Sequence, residues 1–183
     1  QYNYFPLGDT TYTFSCYLKA AERTLAQVAI GNFGQQIDEN PLRINLADGT
    51  FTNSPDLTRC KIEAVGNGWF YVATTSTTIS SPTGNLLPRI NLQETAPTIS
   101  YDGDGYSGVY IWGAQLEQGS FPTSYIPTSG SQVTRNRDSA EMTGTNFSSW
   151  YRADEGTLYS EVIPNGLLNP GGQYIASIDS GAS

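Results

Sequence analysis

Residues 12–20, YTFSCYLKA, decide the fold: Tyr12, Phe14, Cys16 and Leu18 fall on one side of an alternating run, and Thr13, Ser15, Tyr17 and Lys19 on the other. A period of two with one apolar side is the pattern of an antiparallel strand that sets one face on a core and the other toward solvent. Similar patterns extend outward from this run. Residues 26–31 (AQVAIG) and 42–46 read as strands, and Ala47-Asp48-Gly49-Thr50 supplies an Asp-Gly hairpin turn after the second. In 59–65, charged Arg59, Lys61 and Glu63 alternate with Cys60, Ile62 and Ala64; the run meets Gly66-Asn67-Gly68, and 69–78 follows as its hairpin partner. Residues 107–117 (SGVYIWGAQLE) form the last strong strand of the set, and 1–7 read as a strand ahead of it all, turning at Gly8-Asp9.

The remaining stretches carry less periodicity. Residues 80–97 contain Pro82, Pro88 and Pro97 and are read as a long excursion over the surface. Residues 120–139, rich in Pro, Ser, Thr and Gly, suit an extended connection. Beyond it, 156–163 (GTLYSEVI) and 173–178 (QYIASI) look like two more strands. No segment has helical amphipathicity. The expected fold is therefore all-β, a jelly-roll sandwich of two antiparallel sheets.

Composition narrows the chemistry. The chain has 183 residues, enough for one sizeable domain, and only 14% are charged. It has no histidine, which removes Ser-His-Asp and Cys-His catalysis and zinc sites that need imidazole. Two cysteines, Cys16 and Cys60, are too few for a disulfide scaffold; they either pair across neighbouring strands or, more economically, are two buried free thiols. A net charge of -8 argues against nucleic acid and anionic membranes as partners. No apolar run reaches a membrane span, and the N-terminus lacks the regions of a signal peptide, so the chain is not secreted by that route or its beginning is missing.

Three stretches carry a resemblance: YTFSCYLKA at 12–20, VGNGWFYVATT at 65–75, and SGVYIWGAQLEQGSFPTSYIPTSGSQVTRNRD at 107–138. Together they resemble the carbohydrate-binding-module-like jelly roll of bacteriophage tail and other phage structural proteins. The resemblance covers residues 1–138. Members of that family have more residues ahead of the Tyr-Thr-Phe-Ser strand than this chain has, so the sandwich is expected to lack an opening strand or two. Residues 139–183, with FSSWYRADEGTLYSEVIP from Phe147, look like the start of a concanavalin-A-like lectin or glucanase domain, cut short. Its orphan strands are expected to dock on the jelly roll, in their own chain or by exchange into a homo-oligomer.

The candidate site residues follow from alternation. With Phe70, Val72 and Thr74 facing the core, Trp69 and Tyr71 project onto the outer face of their sheet, where they stack on sugar rings or, alternatively, cover a sandwich edge. Trp112 and Tyr110 share a face with Ala114 and Leu116, company that assigns Trp112 to the core. Arg43, Asn45 and Gln115, the last opposite the Trp112 face, are polar candidates for hydroxyl contacts, or ordinary solvated side chains. Asp102 and Asp104, in Tyr101-Asp102-Gly103-Asp104-Gly105, offer two hard-oxygen ligands for a structural Ca²⁺, or form a plain Asp-Gly turn.

No nucleophile and base pair emerges; Glu155 with Glu161, or Asp102 with Asp104, are carboxylate pairs of unknown separation. The resemblance thus implies a non-catalytic module of a phage tail or tail fibre, carried on the virion and assembled in the host cytoplasm, that recognises polysaccharide on the host surface. The rival expectations are a purely structural tail domain and an accessory module of a polysaccharide-degrading tail enzyme.

Overall fold

The computed structural model describes residues 6–32, 37–52, 56–95, 102–136 and 141–152, with single positions at 154, 155, 157 and 159. The chain divides into two compact units, Gln1–Pro127 and Thr128–Ser183. The first is an all-β sandwich. Its strands are β1 (Thr11–Ala20), β2 (Leu25–Asn32), β3 (Leu42–Asn45), β4 (Phe51–Thr52), β5 (Cys60–Gly66), β6 (Trp69–Thr77), β7 (Leu86–Gln93) and β8 (Val109–Gln118). Sheet A runs β5-β6-β1-β8 and sheet B runs β4-β3-β2-β7, and the pairs within each are antiparallel. The pairs β1 with β8 and β2 with β7 are nested, which is how a long hairpin rolls up into a jelly roll.

Alternation sets the core. Tyr12, Phe14, Cys16 and Leu18 of β1 and Val72 of β6 meet Ala26, Val28 and Ile30 of β2 and Leu42 and Ile44 of β3 in one buried cluster. Burial pushes the Cys16 thiol up to about 12, so it is a packing group that stays protonated. Cys60 is only partly buried and neither cysteine is in a disulfide, in keeping with two thiols rather than a bridge. The β5–β6 hairpin closes on Asn67-Gly68, with φ of 52° and 76°. Positive φ at both central residues matches the twist of the flanking strands and explains why Asn-Gly stands there.

One expectation fails in the fold itself. The stretch 80–97 is not simply a surface excursion, because 86–93 form β7, which pairs with β2 from Leu25↔Gln93 to Asn32↔Leu86. Its apolar alternation of Leu86, Pro88, Ile90 and Leu92 is interrupted only by Pro88, which is tolerated because β7 is the edge of sheet B and Pro88 is exposed. Residues 120–136 form neither helix nor strand, as an extended connection should.

In the second unit the described regular element is α1 (Thr145–Ser148), a single turn whose Phe147 stacks on Tyr151 with ring centroids 4.4 Å apart. The strands read at 173–178 and nearly all of 156–163 lie outside the described residues, as do 1–5.

Candidate functional site

The outer face of sheet A carries a row of aromatic rings in two contacting groups. Cross-strand partners share a face, so the register Lys19↔Trp69, Tyr17↔Tyr71 on one side of β1 and Lys19↔Tyr110, Tyr17↔Trp112 on the other gathers these side chains on one surface. Tyr17 is its centre: its ring lies 4.8 Å from Tyr71 and 5.0 Å from Trp112, both tilted. Trp112 continues to Tyr125 at 5.0 Å, and Trp69 to Tyr110 at 6.5 Å. Lys61 sits 5.5 Å from the Tyr71 ring centre, within cation–π range. Burial raises the Tyr71 phenol above its ordinary value, against an opposing hydrogen bond with Ser15, so it remains a neutral hydroxyl at physiological pH.

Tyr17, Trp69 and Trp112, with Val65, Gly66 and Asn67 of the β5–β6 hairpin, line an open cleft of about 230 Å³. Flat aromatic walls with one amide at the rim suit a ring-shaped ligand with polar edges. Trp112 is 55% exposed, far from the core position expected for it. The cause is a bulge. Ser15 pairs with Gln115 and Tyr17 with Trp112, so three steps along β8 match two along β1. Gly113 takes φ of 60° to absorb the extra residue, which reverses the alternation and turns Tyr110 and Trp112 outward while Val109 and Leu116 pack on the core. A glycine inside a strand is the sequence signal for this.

The same bulge corrects the reading of Gln115, which lies on the Trp112 face rather than opposite it. Its Oε1 accepts from the Ile126 amide at 2.9 Å and its Nε2 donates to Glu117 at 3.0 Å. Glu117 in turn accepts from the Thr123 amide at 2.9 Å and the Thr123 hydroxyl at 2.6 Å. These bonds strap 119–127 over one end of sheet A. Thr13 and Ser15 are thereby buried on a face where alternation alone places them in solvent, and Thr13 Oγ1 donates to the Gly119 carbonyl at 2.8 Å.

Trp69 and Tyr71 are half-buried and belong to the aromatic row. Arg43 and Asn45 do not join them. Their neighbours Leu42 and Ile44 face the core, so Arg43 and Asn45 project from sheet B, on the opposite side of the sandwich. Asn45 serves its own hairpin: Oδ1 accepts from the Ala47 amide at 3.1 Å and Nδ2 donates to Asp48 at 3.3 Å. Arg43 Nη2 and Nε lie 3.1 and 3.2 Å from the Gln27 side-chain amide, whose oxygen accepts from both once that amide is turned toward the guanidinium.

Asp104 accepts from the backbone amides of Tyr106 at 3.1 Å and Ser107 at 2.8 Å and from the Ser107 hydroxyl, and stands 3.8 Å from Arg23. The Ser107 bonds foremost lower its carboxyl to about 2. Asp102 beside it is exposed, and among the described residues no three acidic, cysteine or histidine side chains gather as a metal cluster. Among the described residues no helix is long and apolar enough to cross a membrane.

No protein-family model matches this chain, and no curated protein is significantly similar to it in sequence.

Proposed function

We propose that the sandwich is a non-catalytic carbohydrate-binding module of a phage tail or tail fibre, which recognises polysaccharide on a host surface. The observation that carries this reading is the open cleft walled by Tyr17, Trp69 and Trp112 on the outer face of sheet A. The exposed Trp112 and the half-buried Tyr17 and Trp69 offer a pyranose apolar ring faces, while Asn67 is placed for a hydroxyl. The phage setting comes from the resemblance carried by 12–20, 65–75 and 107–138. Single contacts of this kind are weak, and repeated copies on a virion supply avidity.

An array of immobilised bacterial-surface glycans is the test. Binding by the intact chain that is lost in Trp112→Ala supports the module, whereas a clean array with a folded protein leaves a purely structural domain. Calcium at Asp102 and Asp104 is an accessory proposal. It predicts a higher melting midpoint in calcium than in excess chelator, and coincident curves remove it.

A further inference from the structure

We infer that the ligand of the aromatic cleft is an acidic glycan, one carrying a carboxylate that pairs with the Lys19 ammonium; this inference rests on the glycan reading of the same cleft. The argument starts from where the lysines are. The chain has a net charge of -8, and its two lysines are Lys19 and Lys61. Both stand on the aromatic face of sheet A: Lys19 lies between Trp69 and Tyr110 in the register, and Lys61 lies by the Tyr71 ring.

The two differ in what holds them. Lys61 Nζ is 3.3 Å from Glu63 and is already neutralised. Arg23, Arg59 and Arg89 likewise have acidic partners, at 3.8, 2.8 and 2.7 Å. Lys19 has none among the described residues, and it is partly buried between two aromatic side chains. Its methylene stem runs beside the Asn67-Gly68 turn, since a Cβ on Gly68 would lie 3.6 Å from Lys19 Cε. Gly68 stands in sequence between Asn67 and Trp69, two residues of the cleft wall, so the end of the Lys19 stem lies beside that edge of the cleft although Lys19 is not itself part of the wall.

The carboxylates of the same face are engaged elsewhere. Glu63 holds Lys61, and Glu117 is occupied by Thr123 and Gln115 at the strapped end. An ammonium with no acidic partner among the described residues, beside an aromatic cleft, repels a quaternary ammonium or other cationic ligand and attracts an anion, and its partial burial strengthens that attraction. A sugar ring stacked on Trp69 or Trp112 with its carboxylate toward Lys19 uses both features at once.

The test uses the intact chain on an array that holds carboxylate-bearing glycans, such as polymers of uronic acids, beside the same polymers with their carboxyls reduced to alcohols. The expected result is binding to the acidic member of a pair, weakened by salt, with about tenfold loss in Lys19→Met, the scale of one charge-assisted hydrogen bond, and recovery in Lys19→Arg. Circular dichroism spectra of both variants that match the parent exclude unfolding as the cause. Equal binding to acidic and reduced members, or acidic binding untouched by Lys19→Met, overturns the inference while the carbohydrate module stands. Silence across the whole array, with Trp112→Ala equally silent, brings down the module itself and this inference with it.

Discussion

Tyr17 and Trp112 face each other across the β1–β8 ladder with ring centroids 5.0 Å apart, and they do so only because Gly113 beside Trp112 takes a positive φ. Without the bulge, the period of two that puts Leu116 on the core would put Trp112 there as well. One glycine therefore moves the largest side chain of β8 from the interior to the cleft.

Replacing Gly113 should act on fold and site together. An alanine at φ of 60° costs about 1–2 kcal/mol in backbone strain, and its Cβ would stand 3.1 Å from Tyr17 Cδ2. Gly113→Ala is expected to lower the denaturation midpoint and to weaken glycan binding, because relief requires Tyr17 to move. Gly108→Ala, with nothing within 4 Å of its new Cβ and no positive φ, is the control and should change stability by less than about 0.5 kcal/mol. Equal effects of the two substitutions would show that the bulge is not under steric control.

Trp112 is the ring whose removal separates binding from folding. It is 55% exposed, and its ring contacts are with Tyr17 and Tyr125. Trp112→Ala should cost about 1 kcal/mol of stability, the scale of an aromatic pair, yet lower glycan affinity by about tenfold or more. Trp150, 61% exposed in the second unit, supplies the comparison, and Trp150→Ala should bind as the parent does. Unchanged affinity of Trp112→Ala in a titration by intrinsic fluorescence or calorimetry would remove this ring from the site.

The loop before β8 makes a prediction about acid. Asp104 has its carboxyl lowered from 3.8 to about 2 by the Ser107 hydroxyl and amide, the Tyr106 amide and Arg23. A folded-state pKa below the unfolded value means the ionised form is favoured by folding, so the contribution is present above about pH 4 and is lost as pH falls toward 2. Asp104→Asn should therefore lose less stability than the parent between pH 5 and pH 2.5, when urea midpoints are compared at both. Parallel losses in the two proteins would mean that Asp104 is not selectively stabilised by this loop.

Sheet A's central strand was legible because Tyr12, Phe14, Cys16 and Leu18 alternate without interruption, and the same logic correctly put Trp69 and Tyr71 outside and Phe70 and Val72 inside. Alternation fails wherever a local event breaks the count. Gly113 shifts β8 by one residue, and Pro88 masks β7 although its neighbours keep the period. Burial of Thr13 and Ser15 was hidden for another reason: it depends on residues more than a hundred positions away, at 119–127, and no short-range pattern reports it. The polar candidates fared worst, since alternation says which side of a strand a residue occupies but not which sheet. Arg43 and Asn45 are on the outer face of the wrong sheet for the aromatic row, and their side chains serve Gln27 and a hairpin turn. The Asp48-Gly49 and Asn67-Gly68 turns were legible because positive φ restricts the choice of residue so strongly.

The strap over sheet A gives the last prediction. Glu117 accepts from the Thr123 amide, the Thr123 hydroxyl and Gln115 Nε2, and Gln115 Oε1 accepts from the Ile126 amide, so beyond the bonds of Gly119 with Thr11 and Thr13, one carboxylate and one amide tie down 123–126 without any strand pairing. Glu117→Ala removes three acceptor bonds and should cost about 2 kcal/mol in all, at the net scale of roughly 0.5–1.5 kcal/mol per bond. The loss should be local. Amide exchange at Thr123 and Ile126 is expected to accelerate, because the first loses its acceptor and the second depends on a Gln115 side chain that Glu117 no longer positions. Exchange in β1 at Cys16 and Leu18 should stay slow, since the β1–β6 ladder is untouched. Tyr125 rides on the strap and contacts Trp112 at 5.0 Å, so its loosening should also weaken glycan binding, by less than Trp112→Ala does. Uniform acceleration across β1, β6 and the strap would mean that Glu117 supports the whole sandwich rather than the strap. No acceleration at Thr123 would mean that the strap is held by something other than these bonds.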